Sequence, residues 1–354
     1  MSVARPMSVR AIALSLAAAP RLRVGWALAV MCAGLLASGE RVHTQSASWA
    51  WKPAIPTANE GQIHIQPVRG NVYLVVGAGG NITVSAGDDG MLLVDSGLAS
   101  TSDNVLAALR TLTSQPIRYI VNTNEREVYS GGNERIAAAG ETIPFRPNQT
   151  IQIQGYIGTN RATVISFLSV FERMSAPTGK VAPRSEGSWP DATYSTPQKK
   201  LFFNDEPVLI VHQPSTTDGN SLVHFRTADV VCVGDLMDLT GYPFIDLKAG
   251  GSVQAIAQGL NRLIDITVPN KQSEEGTLVI PGHGRIADQP DVVYYYEMVS
   301  IVRDRIQDML SRGMTVEQVQ AARPTRDFDT RYGKDTGAWT TRMFVEAVYQ
   351  SLKK

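Results

Sequence analysis

The sequence predicts an α/β fold in which sheet layers are covered by helices. After residue 70, short runs rich in β-branched and aromatic residues alternate with glycine-rich turns. Apolar residues at helical spacing occur before, between and after those runs. Apolar residues make up 43% of the chain and charged residues 19%, which supplies a sizeable core. Strands flanked and interrupted by helices must bury one face of each against the other.

In chain order, residues 71–76, 81–86 and 91–95 read as strands. Gly77-Ala78-Gly79-Gly80 and Gly87-Asp88-Asp89-Gly90 form the turns between them. The first turn is no phosphate loop, because Ile82 stands where the last glycine of that motif belongs and a strand follows. Val105, Leu106, Leu109 and Leu112 predict a helix over 101–114, with Ser102 or Asp103 as its cap. Residues 117–121 form a strand, followed by an irregular segment and a short helix from Asn133. Pro177, Pro183, Pro190 and Pro197 then punctuate a stretch that also carries Phe167, Phe171, Trp189 and Tyr194. Spacing there predicts a helix over 163–174 and a proline-rich insertion at about 175–200, either a lid or a surface loop packed on its own aromatics. Strands resume over 208–212, 221–226 and 230–234. A helix over 252–266, a buried strand over 277–281, a long helix over 292–312 and helices over 315–322 and 339–352 complete the chain. No internal repeat is present.

Residues 1–46 read as an export signal. Arg5, Arg10, Arg21 and Arg23 precede any acid, and the apolar run 24–37 is about 14 residues long, short of the roughly 20 that span a bilayer. Cleavage is expected between 39 and 48; the alternative is an uncleaved signal anchor. Met31 before Cys32 argues against lipidation. An exported protein, periplasmic or secreted, follows, membrane-anchored only if the signal is retained. Residues 47–70 read as a linker and 71–354 as a single domain. Without residues 1–46 the net charge is about −4, which offers no basic face to nucleic acid. Cys232, between Val231 and Val233, reads as a buried strand thiol.

Several stretches together resemble one family. Residues 71–97, ending in Asp95-Ser96-Gly97, resemble the opening strands of the metallo-β-lactamase superfamily. Ile120-Val121-Asn122-Thr123 and Ser130-Gly131-Gly132-Asn133 resemble the text on either side of that family's His-x-His-x-Asp-His motif. The likeness continues through 214–220, Gly234-Asp235 and Pro281-Gly282-His283-Gly284, and the C-terminus resembles that of secreted bacterial, cyclase-like members. The resemblance implies an αββα four-layer sandwich and a hydrolase ancestry. In that family the motif presents imidazole and carboxylate donors to two zinc ions, which acidify a water and polarise the scissile carbonyl.

This chain departs from the motif at the positions that matter. Registered on the matching flanks, the ligand positions fall on Asn124, Arg126, Val128, Tyr129, Thr216, Asp235 and His283. Five of the seven are residues that do not ordinarily bind zinc, and Val128 has no donor at all. Arg126 brings a permanent cation to the metal's place, and Asp235 would be costly to bury without one. The register therefore predicts that Arg126 reaches Asp235.

The expected protein is a pseudoenzyme with a vestigial pocket, no confident catalytic residue and no cofactor. A small molecule could occupy the pocket, and no protein partner is specified. Two alternatives stay open. One is a zinc-dependent hydrolase of β-lactams, lactones or related esters with atypical ligands, drawing on Asp235 and His283 and on Glu125, Glu127, His212 or His224. The other is a non-catalytic envelope protein that uses the proline-rich loop for contact. A serine triad of Ser130 or Ser221 with His283 and Asp235 has nothing in the sequence to place its members together.

Overall fold

The structure is a computed structural model that describes residues 61–142, 160–176, 183–268 and 276–353. All of them belong to the compact unit Pro53–Lys354. The predicted export signal over 1–46 lies outside the described residues. Among the described residues, no helix is long and apolar enough to cross a membrane.

Alternation of side chains along the strands builds two sheets. The first is seven-stranded, in the order β1 (His64–Arg69), β2 (Val72–Ala78), β3 (Gly80–Gly87), β4 (Gly90–Val94), β5 (Ile117–Val121), β6 (Thr163–Phe167) and β7 (Ala192–Tyr194). Its first four strands are antiparallel, and β4 to β7 run parallel. The second is five-stranded, in the order β12 (Leu278–His283), β11 (Val230–Asp238), β10 (Ser221–Phe225), β9 (Glu206–His212) and β8 (Gln198–Phe203). Here only β11 and β12 pair in parallel.

Strand period two sends successive residues to opposite faces, and the core divides accordingly. Leu92, Val94 and Val121 of the first sheet meet Val208, Val223, Val230 and Cys232 of the second in the central layer. Val75, Leu93, Ile120 and Val164 face outward onto Val105, Leu106 and Leu109 of α1 (Ser102–Leu109) and Ile136 of α3 (Asn133–Ala138). On the far side, Leu222, Val231 and Val279 pack against α5 (Val253–Ile266), α6 (Gln289–Ser311) and α9 (Thr341–Lys353). Helix, sheet, sheet and helix thus stack in four layers. Ser252 caps α5, and Asp288 and Thr315 form capping boxes on α6 and α7 (Val316–Ala322).

Three local expectations are corrected. The stretch read as a linker contains β1, so the folded part begins before residue 71. Pro67 disguises it, and the strand tolerates a proline because it lies on the sheet's edge. Residues 163–167 are strand β6, not helix; α4 (Leu168–Ser175) follows. A strand buried on both faces carries a continuous apolar run, whose spacing also fits a helix. The proline-rich stretch contributes to both sheets at its C-terminal end: β7 extends the first and β8 edges the second. Its aromatics pair up, Phe167 with Tyr194 and Phe171 with Trp189, with ring centroids 5.4 and 6.1 Å apart. Residues 177–182 lie outside the described residues.

Candidate functional site

The site forms where β5, β11 and β12 end. Asp235 stands near the end of β11, with its side chain 4% exposed. Such a carboxylate needs a cation and hydrogen-bond donors. Arg126, on the turn after β5, supplies both: its Nη1 donates to Asp235 Oδ1 at 2.8 Å and to Oδ2 at 2.7 Å. Tyr129, on the short helix α2 (Glu127–Ser130), donates its hydroxyl to Oδ1 at 2.5 Å. Asn124 donates its amide to Oδ2 at 3.1 Å, while its own carbonyl oxygen accepts the Arg126 N–H at 2.9 Å and fixes the turn. Three of the seven predicted positions, Asn124, Arg126 and Tyr129, therefore converge on a fourth, Asp235.

The electrostatics agree with this arrangement. Burial is the largest influence on Arg126 and disfavours its charge, but Asp235, Tyr129 and Asp238 outweigh it and leave the guanidinium more firmly protonated than usual. Burial, then the Asp235 charge, push the Tyr129 hydroxyl well above its ordinary range, so it remains a donor. The Arg126 guanidinium also lies over the Phe244 ring, 4.4 Å from its centroid, a favourable cation–π position. Asp95 underpins the turn from below: its carboxylate accepts from Thr123 N at 2.7 Å and Thr123 Oγ1 at 2.8 Å.

The other predicted positions separate into two groups. Val128 and His283 line a cavity of about 360 Å³ together with Arg126 and Asp235, and the His283 ring lies 5.9 Å from that of Tyr129. Thr216 is withdrawn: it is fully buried and its hydroxyl is bonded to Asn220. Among the described residues, no other His, Cys, Asp or Glu completes a group of three there. Glu125 is paired with Arg173 at 2.6 Å and Glu127 with Arg184 at 3.2 Å. His212 stacks on Phe167 and bonds to the Asp218 carbonyl oxygen at 2.6 Å. His224 sits in β10, buried, with its pKa lowered to about 4 chiefly by burial. Ser130 donates to the Glu125 carbonyl oxygen, and Ser221 bonds to Tyr194, so neither serves a triad. Cys232 is buried, and burial pushes its thiol up to about 12.

Sequence reasoning missed the cavity's far wall. Phe244 follows β11 in an irregular turn, and Lys334 and Trp339 belong to a loop just before α9. Trp339 packs edge-on against Phe244 at 4.7 Å. Hydrogen bonds between Lys334 and Thr341 tie the ends of that loop together.

Sequence comparison with protein-family models and with curated proteins finds no match. Comparison of structures does. The stereoselective inverting sec-alkylsulfatase Pisa1 from Pseudomonas sp. superposes with a TM-score of 0.57 at 14% identity, covering 81% of this chain and 50% of that one. A double mutant of the same sulfatase gives a TM-score of 0.56 at the same identity and coverage. At 14% identity these likenesses show the fold, a mixed α/β arrangement of two sheets and helices shared with the sulfatase structures. The chain spans about half the length of these sulfatase structures, with 50% of each covered. A metallo-beta-lactamase from Pontibacter korlensis is covered over 99% of its length by 68% of this chain, at 16% identity and a TM-score of 0.49.

The resemblance read from the sequence implies zinc at these strand ends, with Asp235 and His283 among its ligands. The donor set here does not fit that role. A zinc ion takes about four imidazole, thiolate or carboxylate donors, whereas Asp235 has both oxygens engaged by Arg126, Tyr129 and Asn124. Among the described residues, no group of three or more His, Cys, Asp or Glu side chains is placed to hold a metal ion.

Proposed function

We propose that this protein is a pseudoenzyme of hydrolase ancestry, in which the former metal pocket persists as a binding cavity without two-zinc hydrolysis. The observation that carries this reading is the Arg126 guanidinium bonded to both oxygens of Asp235. A metal at that carboxylate would have to displace a guanidinium bonded to both oxygens, and arginine does not give up its charge. Arg126 and Tyr129 thus act as a proteinaceous stand-in for the cation the carboxylate would otherwise require. The arginine-bearing, apolar leader supports export as the setting for this role.

The test is elemental analysis of the purified protein together with hydrolysis of a chromogenic β-lactam and a lactone. The expected result is substoichiometric zinc and no chelator-sensitive turnover. One or two zinc ions per chain with chelator-sensitive hydrolysis would overturn the reading. A variant carrying Asn124→His, Arg126→His, Val128→Asp, Tyr129→His and Thr216→His provides the positive control for zinc uptake.

A further inference from the structure

We propose that the cavity binds a small organic oxyanion, held through the unused edge of Arg126. This rests on the non-hydrolytic reading above and specifies the chemistry of the occupant. A guanidinium carries five N–H donors in a fixed fork. Both bonds to Asp235 come from Nη1, and among the described residues Nε and Nη2 make no hydrogen bond. The side chain is 32% exposed, and Arg126 lines the cavity of about 360 Å³. The Nε–Nη2 edge is the side-on fork that matches two oxygens of a carboxylate, sulfate or phosphate group.

The surrounding charges point the same way. Lys334 lines the cavity, its ammonium 3.3 Å from where a side-chain carbon on Gly241 would lie. Among the described residues it forms no ion pair. Of the cavity's acids, Asp235 is paired as described, and Asp238 accepts from Thr240 N and Oγ1 at 2.7 Å each through its Oδ1. The two cations and two acids of the lining balance, so the donors that Arg126 and Lys334 keep free are what an anion would use.

The walls define the rest of the ligand. Phe244 stacks on Arg126 and Trp339 packs on Phe244, which gives the cavity an aromatic side. The Trp339 indole N–H and the Tyr332 hydroxyl are buried without a partner in residues that line it. Buried polar groups normally find one. At about 360 Å³ the cavity is at the small end of ligand pockets. A compact acid with an aromatic or apolar body fits; a long peptide does not.

Calorimetric titration with sodium benzoate, its neutral isostere benzamide, and inorganic sulfate tests this on the full chain. Benzoate should bind saturably, with benzamide and sulfate each weaker by about tenfold or more. Lys334→Glu lies on the exposed rim and should fold normally while weakening benzoate by about tenfold. Arg126→Lys, which keeps a cation opposite Asp235 but loses the fork, should weaken it comparably. Equal affinity for benzamide, unchanged affinity in Lys334→Glu, or no saturation by about 10 mM benzoate would overturn the proposal. Sulfate binding as tightly as benzoate would overturn the organic part of the assignment. Zinc measured on the same samples separates the two readings. A zinc-free protein that ignores benzoate defeats only the anion proposal, and a zinc-loaded one defeats the pseudoenzyme reading.

Discussion

The Tyr129 hydroxyl stands 2.5 Å from Asp235 Oδ1, with the tyrosine wholly buried. The phenol contributes a proton to the carboxylate's hydrogen-bond shell, and Arg126 contributes the charge. Tyr129→Phe removes only the donor, so Asp235 keeps its cation. The expected loss is about 1–2 kcal/mol of stability, read from urea unfolding, with the fold intact by circular dichroism.

Arg126→Ala should cost more. It leaves a carboxylate that is 4% exposed without its counter-charge, and breaking such a pair costs about 3 kcal/mol or more. Asp235→Asn in the same background removes the stranded charge and still offers an acceptor to Tyr129. The double variant should therefore be more stable than Arg126→Ala alone. A double-mutant cycle with no coupling between the two positions would show that the observed pair contributes nothing.

Much of this architecture was legible in the sequence, for identifiable reasons. Strands such as β4 and β11 alternate faces so regularly that Leu92 and Leu93, or Val230 and Val231, enter different core layers. Helix starts were marked by capping residues such as Ser252 and Thr315. Local text placed Asn124, Arg126, Tyr129 and Asp235 in one register, and the structure brings those four together. What escaped was non-local. Whether residues 163–167 form helix or strand depends on β5 and β7 closing on either side. Phe244, Lys334 and Trp339 join the cavity from segments that carry no motif. Thr216 shares the motif register but is drawn away by Asn220, which no spacing rule announces.

Gly282 offers a steric test of the site. Its backbone angle is not in the left-handed region, so space alone requires glycine here. A side-chain carbon would collide with the Tyr129 hydroxyl and lie 2.8 Å from the Gly234 carbonyl oxygen. Backbone cannot yield as a flexible side chain does. Gly282→Ala should cost about 3 kcal/mol or abolish soluble expression. Adding Tyr129→Phe should restore only part of that loss, because the Gly234 contact remains. Complete rescue, read as melting temperature, would show that the hydroxyl is the sole obstruction.

His224 gives the fold a pH dependence of predictable sign. Burial first, then Arg226, lower its pKa from 6.5 to about 4, with Asp229 pulling the other way. Between those values the unfolded chain binds the proton and the folded one resists it. The stability associated with neutral His224 is thus complete above about pH 6.5 and declines as pH falls towards 4, by at most about 3 kcal/mol. Buried acids complicate the raw curve: burial raises the pKa of Glu125 and Asp95, which contributes with the opposite slope. Comparison with His224→Gln cancels those contributions. The stability advantage of the native chain over the variant should shrink as pH falls from 7 to 4 in urea unfolding. A difference that stays constant over that interval would mean that His224 is as free to take up a proton in the folded protein as in the unfolded chain.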